Sequence, residues 1–197
     1  MNEQISHLQR ASTCFIITGL CYLTFGFPFW FLGAVDESGS AKVILPFLVV
    51  LEHVIPPNLQ GWAGLIGTVS MLIGVVSLWK TGEPTGSGKW KKAFGVSIAG
   101  AVFYVLGQWM PLPFAPLGAL FSGLGMILIG IASIKTKIWT GWQRYMPLVV
   151  GCFPFLFMFP LLIITGNRPA AVIGFWGLPW IALGLAAWQR VQSLKIL

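Results

Sequence analysis

The chain reads as an all-α, polytopic membrane protein. It has six transmembrane helices paired as three antiparallel hairpins, with a short outer re-entrant or interfacial helix near residues 43–57. Three observations predict this. First, 56% of the 197 residues are hydrophobic and only 9% are charged. A soluble domain carries about 25% charged residues, so this chain cannot cover a water-facing surface and takes the bilayer as its solvent. Second, the apolar residues fall in runs of roughly 20 that do not alternate, which favours spanning helices over a barrel. Third, the basic residues cluster at alternate ends of those runs, as the positive-inside rule requires.

The first span is 12–35, STCFIITGLCYLTFGFPFWFLGAV, preceded by a polar segment with Arg10 and His7. It is too long for a cleaved signal core and reads as an anchor that stays. The polar segment makes an inner tail with His7 solvated. The second span, 61–80, and the fourth, 114–134, are rich in glycine, as is the sixth, 170–189. The third is 93–110, and the fifth, 146–166, carries FPFLFMFP. Each reaches about 27 Å or more at 1.5 Å per residue, close to the hydrocarbon thickness. The hairpins are therefore 12–80, 93–134 and 146–189, within one integral membrane domain.

With both termini inside, ten of the twelve basic residues lie on the inner side; only Lys42 and Arg168 are outside. The net charge of +7 is thus a topology device and a contact for anionic headgroups at the inner face, not a nucleic-acid surface. The location this implies is the cytoplasmic (inner) membrane, with both termini cytoplasmic. Trp79, Trp90, Trp139, Trp142 and Trp188 fall at the inner interface, and Trp30, Trp62 and Trp109 at the outer one. Amphipathic rings prefer both layers.

The hairpins open on LQRAS, WKKAF and WQRYM, and their second helices end on GVVSLWK, GIASIKT and GLAAWQR. This suggests a threefold internal repeat about an axis along the membrane normal. The glycines of the second helices (Gly67, Gly74, Gly118, Gly125, Gly177, Gly184 among them) let backbones approach closely, so these helices are expected to face one another at the centre. Hairpin two is expected to turn at PLP, 111–113.

Hairpin one alone has a long outer connection, 36–60, holding LVVLEHVIPP. Residues 43–57 reach only about 22 Å as a helix and are too short to span. Glu52 and His53 in that segment are the candidate chemical groups, as a proton-handling or headgroup-binding pair and as the only catalytic candidates. The bland alternative is a carboxylate snorkelling at the interface. Tyr104, Gln108, Ser122 and Arg168 are candidates for a ligand or pathway lining, together with Trp176 and Trp180, whose spacing of four puts both on one face of the last helix. Packing or lipid contact is the plainer role for that pair. The remaining polar residues inside the spans, such as Thr18, Thr68, Ser97 and Ser133, are expected to satisfy their own backbone or link helices.

Familiar catalytic constellations are missing. There is no HExxH, GxSxG, P-loop or phosphate-binding GxGxxG, and GSGKW at 86–90 lacks the first glycine and the strand of a P-loop. Cys14, Cys21 and Cys152 lie within apolar runs without a CxxC and read as small packing residues, and no metal site is expected. No cofactor is implied. The sequence therefore points to a non-enzymatic membrane protein that binds apolar or lipid-like partners or serves as a subunit beside a protein partner. A small transporter or channel gated by residues 43–57 is the alternative. An enzyme acting on a lipid headgroup through Glu52 and His53 is the third reading.

Overall fold

The computed structural model describes residues 2–31, 59–82, 90–165 and 170–196. Residues 43–57, with Glu52 and His53, and Arg168 lie outside the described residues. What is described is helical, with no strand. The elements are α1 (Asn2–Phe31), α2 (Leu59–Lys80), α3 (Lys91–Leu106), α4 (Pro111–Thr136), α5 (Met146–Phe153), α6 (Phe159–Thr165), α7 (Ala170–Phe175) and α8 (Gly177–Ile196). A 3-10 turn, Gly141–Tyr145, leads into α5, and one π turn, Pro154–Met158, joins α5 to α6. Four helices are long and apolar enough to cross a membrane: Gly61–Lys80, Leu112–Thr136, Gly141–Ile164 and Val172–Lys195. The chain is therefore compatible with an integral membrane protein.

Close approaches set the packing, and all of them are antiparallel. α1 lies on α2, with the Thr18 hydroxyl donating to the Gly67 carbonyl at 3.3 Å while Gly74 meets Phe15 and Cys14. α1 also lies on α8, where the Ser12 hydroxyl donates to the Gly184 carbonyl at 2.7 Å. There Gly19 and Gly177 are so close that a Cβ on either would run into the other's carbonyl oxygen. α4 seats α3 on one side, with Gly100 against Ser122 and Gly125 against Ser97, and α5 on the other, with Gly123 against Gly151.

Several expectations are corrected here. The glycines of the second helices do not meet one another at the centre. They press onto the first helices, α1, α3 and α5, because a glycine gives way most usefully where a neighbour has bulk or backbone to seat. Nor are the hairpins packed alike: α1 with α2 and α3 with α4 meet along most of their length, whereas α5 meets α8 over much less. Hairpin two turns one step earlier than PLP, at Gly107–Met110, and Pro111 and Pro113 lie in the first turn of α4, where a missing N–H costs nothing. The polar N-terminal segment is part of α1, with Leu8 and Ala11 fully buried. His7 is accordingly mostly covered, at 19% side-chain exposure, with its Nε2 3.8 Å from the Glu3 carboxylate.

The core is one cluster running through the middle of the bundle, from Leu8 and Phe94 to Tyr22, Met126, Trp176 and Trp180. Outward-pointing residues are just as apolar: Leu20, Ile66, Ile73, Leu156, Ile163 and Leu178 are exposed. Such a surface would be a liability in water and is ordinary in lipid. Trp62, Trp79, Trp109, Trp142 and Trp188 are exposed, in keeping with interfacial belts. Trp139 is an exception, buried at 2%.

Candidate functional site

The centre of the bundle is the only place where several predicted site residues converge among the described residues, and a proline explains how it is held. Pro154 has no N–H, so the Val150 carbonyl, four residues back, loses its helical donor. The Trp176 indole Nε1–H donates to that carbonyl at 2.9 Å, across from the neighbouring rod. Trp176 itself sits at the break between α7 and α8. Two helix irregularities, the π turn after Pro154 and the break at Trp176, thus meet through one hydrogen bond at one level of the bundle.

Around that bond lies an aromatic cluster. Trp176 packs on Tyr22 of α1 with ring centroids 5.5 Å apart, on Tyr104 of α3 at 5.8 Å and on Trp180 at 5.6 Å. Trp180 packs on Phe15 at 5.3 Å. The Tyr22 hydroxyl lies 3.8 Å from the Met71 sulfur. Trp176 and Trp180 are fully buried, so the stripe read from their spacing is core packing and not lipid contact. Among the described residues, no Asp, Glu, Lys, Arg or His is buried.

The other candidates lie apart from it. Ser122 is at the α3–α4 crossing against Gly100. Gln108 stands at the α2–α3 contact, where its side chain covers Gly64. Thr18 and Thr68 donate to backbone carbonyls as expected, whereas the hydroxyls of Ser97, Ser122 and Ser133 are buried with no hydrogen-bond partner among the described residues. At the glycine crossings the small size of Ser97 and Ser122, not their donor, is what the contact uses. Sequence reasoning noted the proline-bearing FPFLFMFP stretch that holds Pro154 but did not single out Val150; the signal that could have found the pair is a mid-helix proline with a buried indole within reach.

One end of the bundle is basic. The antiparallel registers bring Arg10, Lys80, Lys91, Lys92, Lys135, Arg144, Arg190 and Lys195 to the same end. There Gln143 donates to Gln189 at 2.9 Å, tying the start of the α5 rod to α8, and the Lys135 ammonium lies 5.7 Å from the Trp90 ring centroid. No family model matches the chain, and no curated protein and no solved structure shows significant similarity to it.

Proposed function

We propose that the chain is a non-catalytic, multi-pass protein of the cytoplasmic membrane that binds apolar or lipid-like partners, alone or as a subunit of a larger membrane assembly. On this reading α1 and α3 also span, giving six spans with both termini on the cytoplasmic side. Anionic headgroups sit against the basic end. The observation that carries the proposal is the aromatic centre, Tyr22, Tyr104, Trp176 and Trp180, with no charged residue buried among the described ones, inside a bundle whose sides are equally apolar. Such a centre suits a neutral, apolar partner and offers an ion nothing to replace its hydration.

The test is native mass spectrometry after gentle extraction from the source membrane. A stoichiometric protein partner or a retained neutral lipid-like molecule is the expected result. A chain that comes out alone and empty would overturn it. A second reading, a small transporter, draws on the two helix irregularities that meet at Trp176 and Val150, because broken helices mark the binding region of many carriers. The enzymatic reading depends on Glu52 and His53, and both residues are outside the described part of the chain.

A further inference from the structure

The packing divides the bundle into two bodies. In the first, α1 is the centre and carries α2 on one side and α7–α8 on the other. In the second, α4 is the centre and carries α3 on one side and α5 on the other. Inside each body the helices approach backbone to backbone, at Gly19–Gly177 and Gly184–Ser12 in one and at Gly100–Ser122 and Gly123–Gly151 in the other, with Gly67 seated on the Cys21 Cβ. Between the bodies the contacts are fewer. They are made by large side chains: Gln108 over Gly64 at one end, Gln143 to Gln189 at the other, and Trp176 to Tyr104 and the Val150 carbonyl in the middle.

This pattern has a symmetry that three equal hairpins lack. Take α1, α2 and α3 as one half, and α4, the α5–α6 rod and the α7–α8 rod as the other. Each half then begins with the centre of a body, and its third rod packs in the body of the other half. α1 and α4 run in opposite directions, so the halves form an inverted pair. The weak contacts, α2 with α3 and α5 with α8, are equivalent under this relation.

A second observation lies one helical turn from Trp176, which bridges the seam. Trp180 packs on Trp176 and Phe15, and its Nε1–H is fully buried with no hydrogen-bond partner among the described residues. A buried indole donor usually finds one.

We infer that the two three-helix bodies move against each other and that the aromatic seam between them opens at Trp176 to admit, beside Trp180, a neutral, mainly apolar molecule bearing a hydrogen-bond acceptor. The Trp180 N–H donates to the acceptor, and the rings of Phe15, Tyr22, Tyr104 and Trp176 cover its apolar body. This rests on the membrane and apolar-partner reading above and names the chemistry of the partner.

The experiment uses the full chain in lipid vesicles, with Cys14, Cys21 and Cys152 replaced by Ala. Spin labels go on exposed positions through Ile66→Cys, Val102→Cys, Leu156→Cys and Leu178→Cys, made in pairs, and distances are read by pulsed electron resonance. Vesicle flotation comes first, and a chain that does not float overturns the membrane reading itself. The pairs 66–178 and 102–156 lie within bodies, whereas 66–156 and 102–178 cross the seam. Narrow distances within bodies and broad or two-peaked distances across the seam are expected. Equal widths in all four pairs would show one rigid body and overturn the inference. The ligand arm adds 2-octanone or, as the acceptor-free control, octane. The ketone alone is expected to shift the cross-seam distances, and Trp180→Phe to remove that shift. An equal response to both compounds, or no response to either, would overturn the assignment to Trp180.

Discussion

Trp176 does more than fill space. Its indole takes over a carbonyl that Pro154 leaves without a backbone donor, so each residue makes the other tolerable. Removing the indole N–H by Trp176→Phe strands a buried acceptor, at a cost of about 1–3 kcal/mol. In a Pro154→Ala background the new backbone N–H can reach Val150, and the same Trp176→Phe change is expected to cost at least about 1 kcal/mol less. Equilibrium unfolding of the four proteins in mixed lipid–detergent discs measures the coupling, and additive costs would refute it. Glycines divide just as sharply. A Cβ on Gly100 would run into the Ser122 backbone, whereas one on Gly95 meets nothing within 4 Å. Gly100→Leu should therefore destabilise by about 1–3 kcal/mol or more. Gly95→Leu should stay within about 0.5 kcal/mol in the same unfolding assay.

Helix ends and breaks have local causes that can be read from single residues. α2 stops at Gly82, whose φ of +63° is a conformation that costs glycine nothing, with the Thr81 hydroxyl donating to the Leu78 carbonyl at 2.6 Å. α4 ends with Lys137 in the left-handed region, φ 55°, its N–H on the Ser133 carbonyl. Prolines 154 and 160 bracket the π turn. Gly82 and the two prolines were visible in the sequence, Lys137 was not distinguishable there, and the spans drawn from the apolar runs agree with the helices to within a few residues in most cases. α1 departs most. Its polar N-terminal segment stays helical because Leu8 and Ala11 bury against the bundle, so the apolar run alone misplaces its start. Truncating residues 2–7 is expected to lower the unfolding midpoint, since it removes the Ile5 contact with the core and shortens the cover over Leu8. An unchanged midpoint would mean that this turn is a passive extension.

The bundle as a whole is organised by charge at its ends and by size along its length. On the proposed reading, topology follows from the charge. A reporter fused after Leu197 is expected to be active on the cytoplasmic side, as is one fused before Met1. Replacing Lys80, Lys91 and Lys92 with Gln should produce a mixed population, read by reporter activity on each side. A uniform orientation in that variant would show that the remaining basic residues suffice.

Composition by itself pointed to lipid as this chain's solvent, run lengths determined that it is helical, and charge positions showed which helix ends belong together. Those properties depend on solvent and are written one residue at a time. Which faces meet was decided only by the tertiary structure. In water an apolar stripe marks the inward face of a helix. In lipid both faces are apolar, so Phe15 in the core and Ile17 on the surface carry the same hydropathic signal. Shape distinguishes them instead: a glycine finds its partner through the backbone it can approach, and a proline through the donor it lacks. Both are properties of pairs of residues far apart in the chain. The α1–α8 crossing, the seating of α4 between α3 and α5, and the bond from Trp176 to Val150 were therefore beyond the reach of periodicity and needed the folded bundle to be seen.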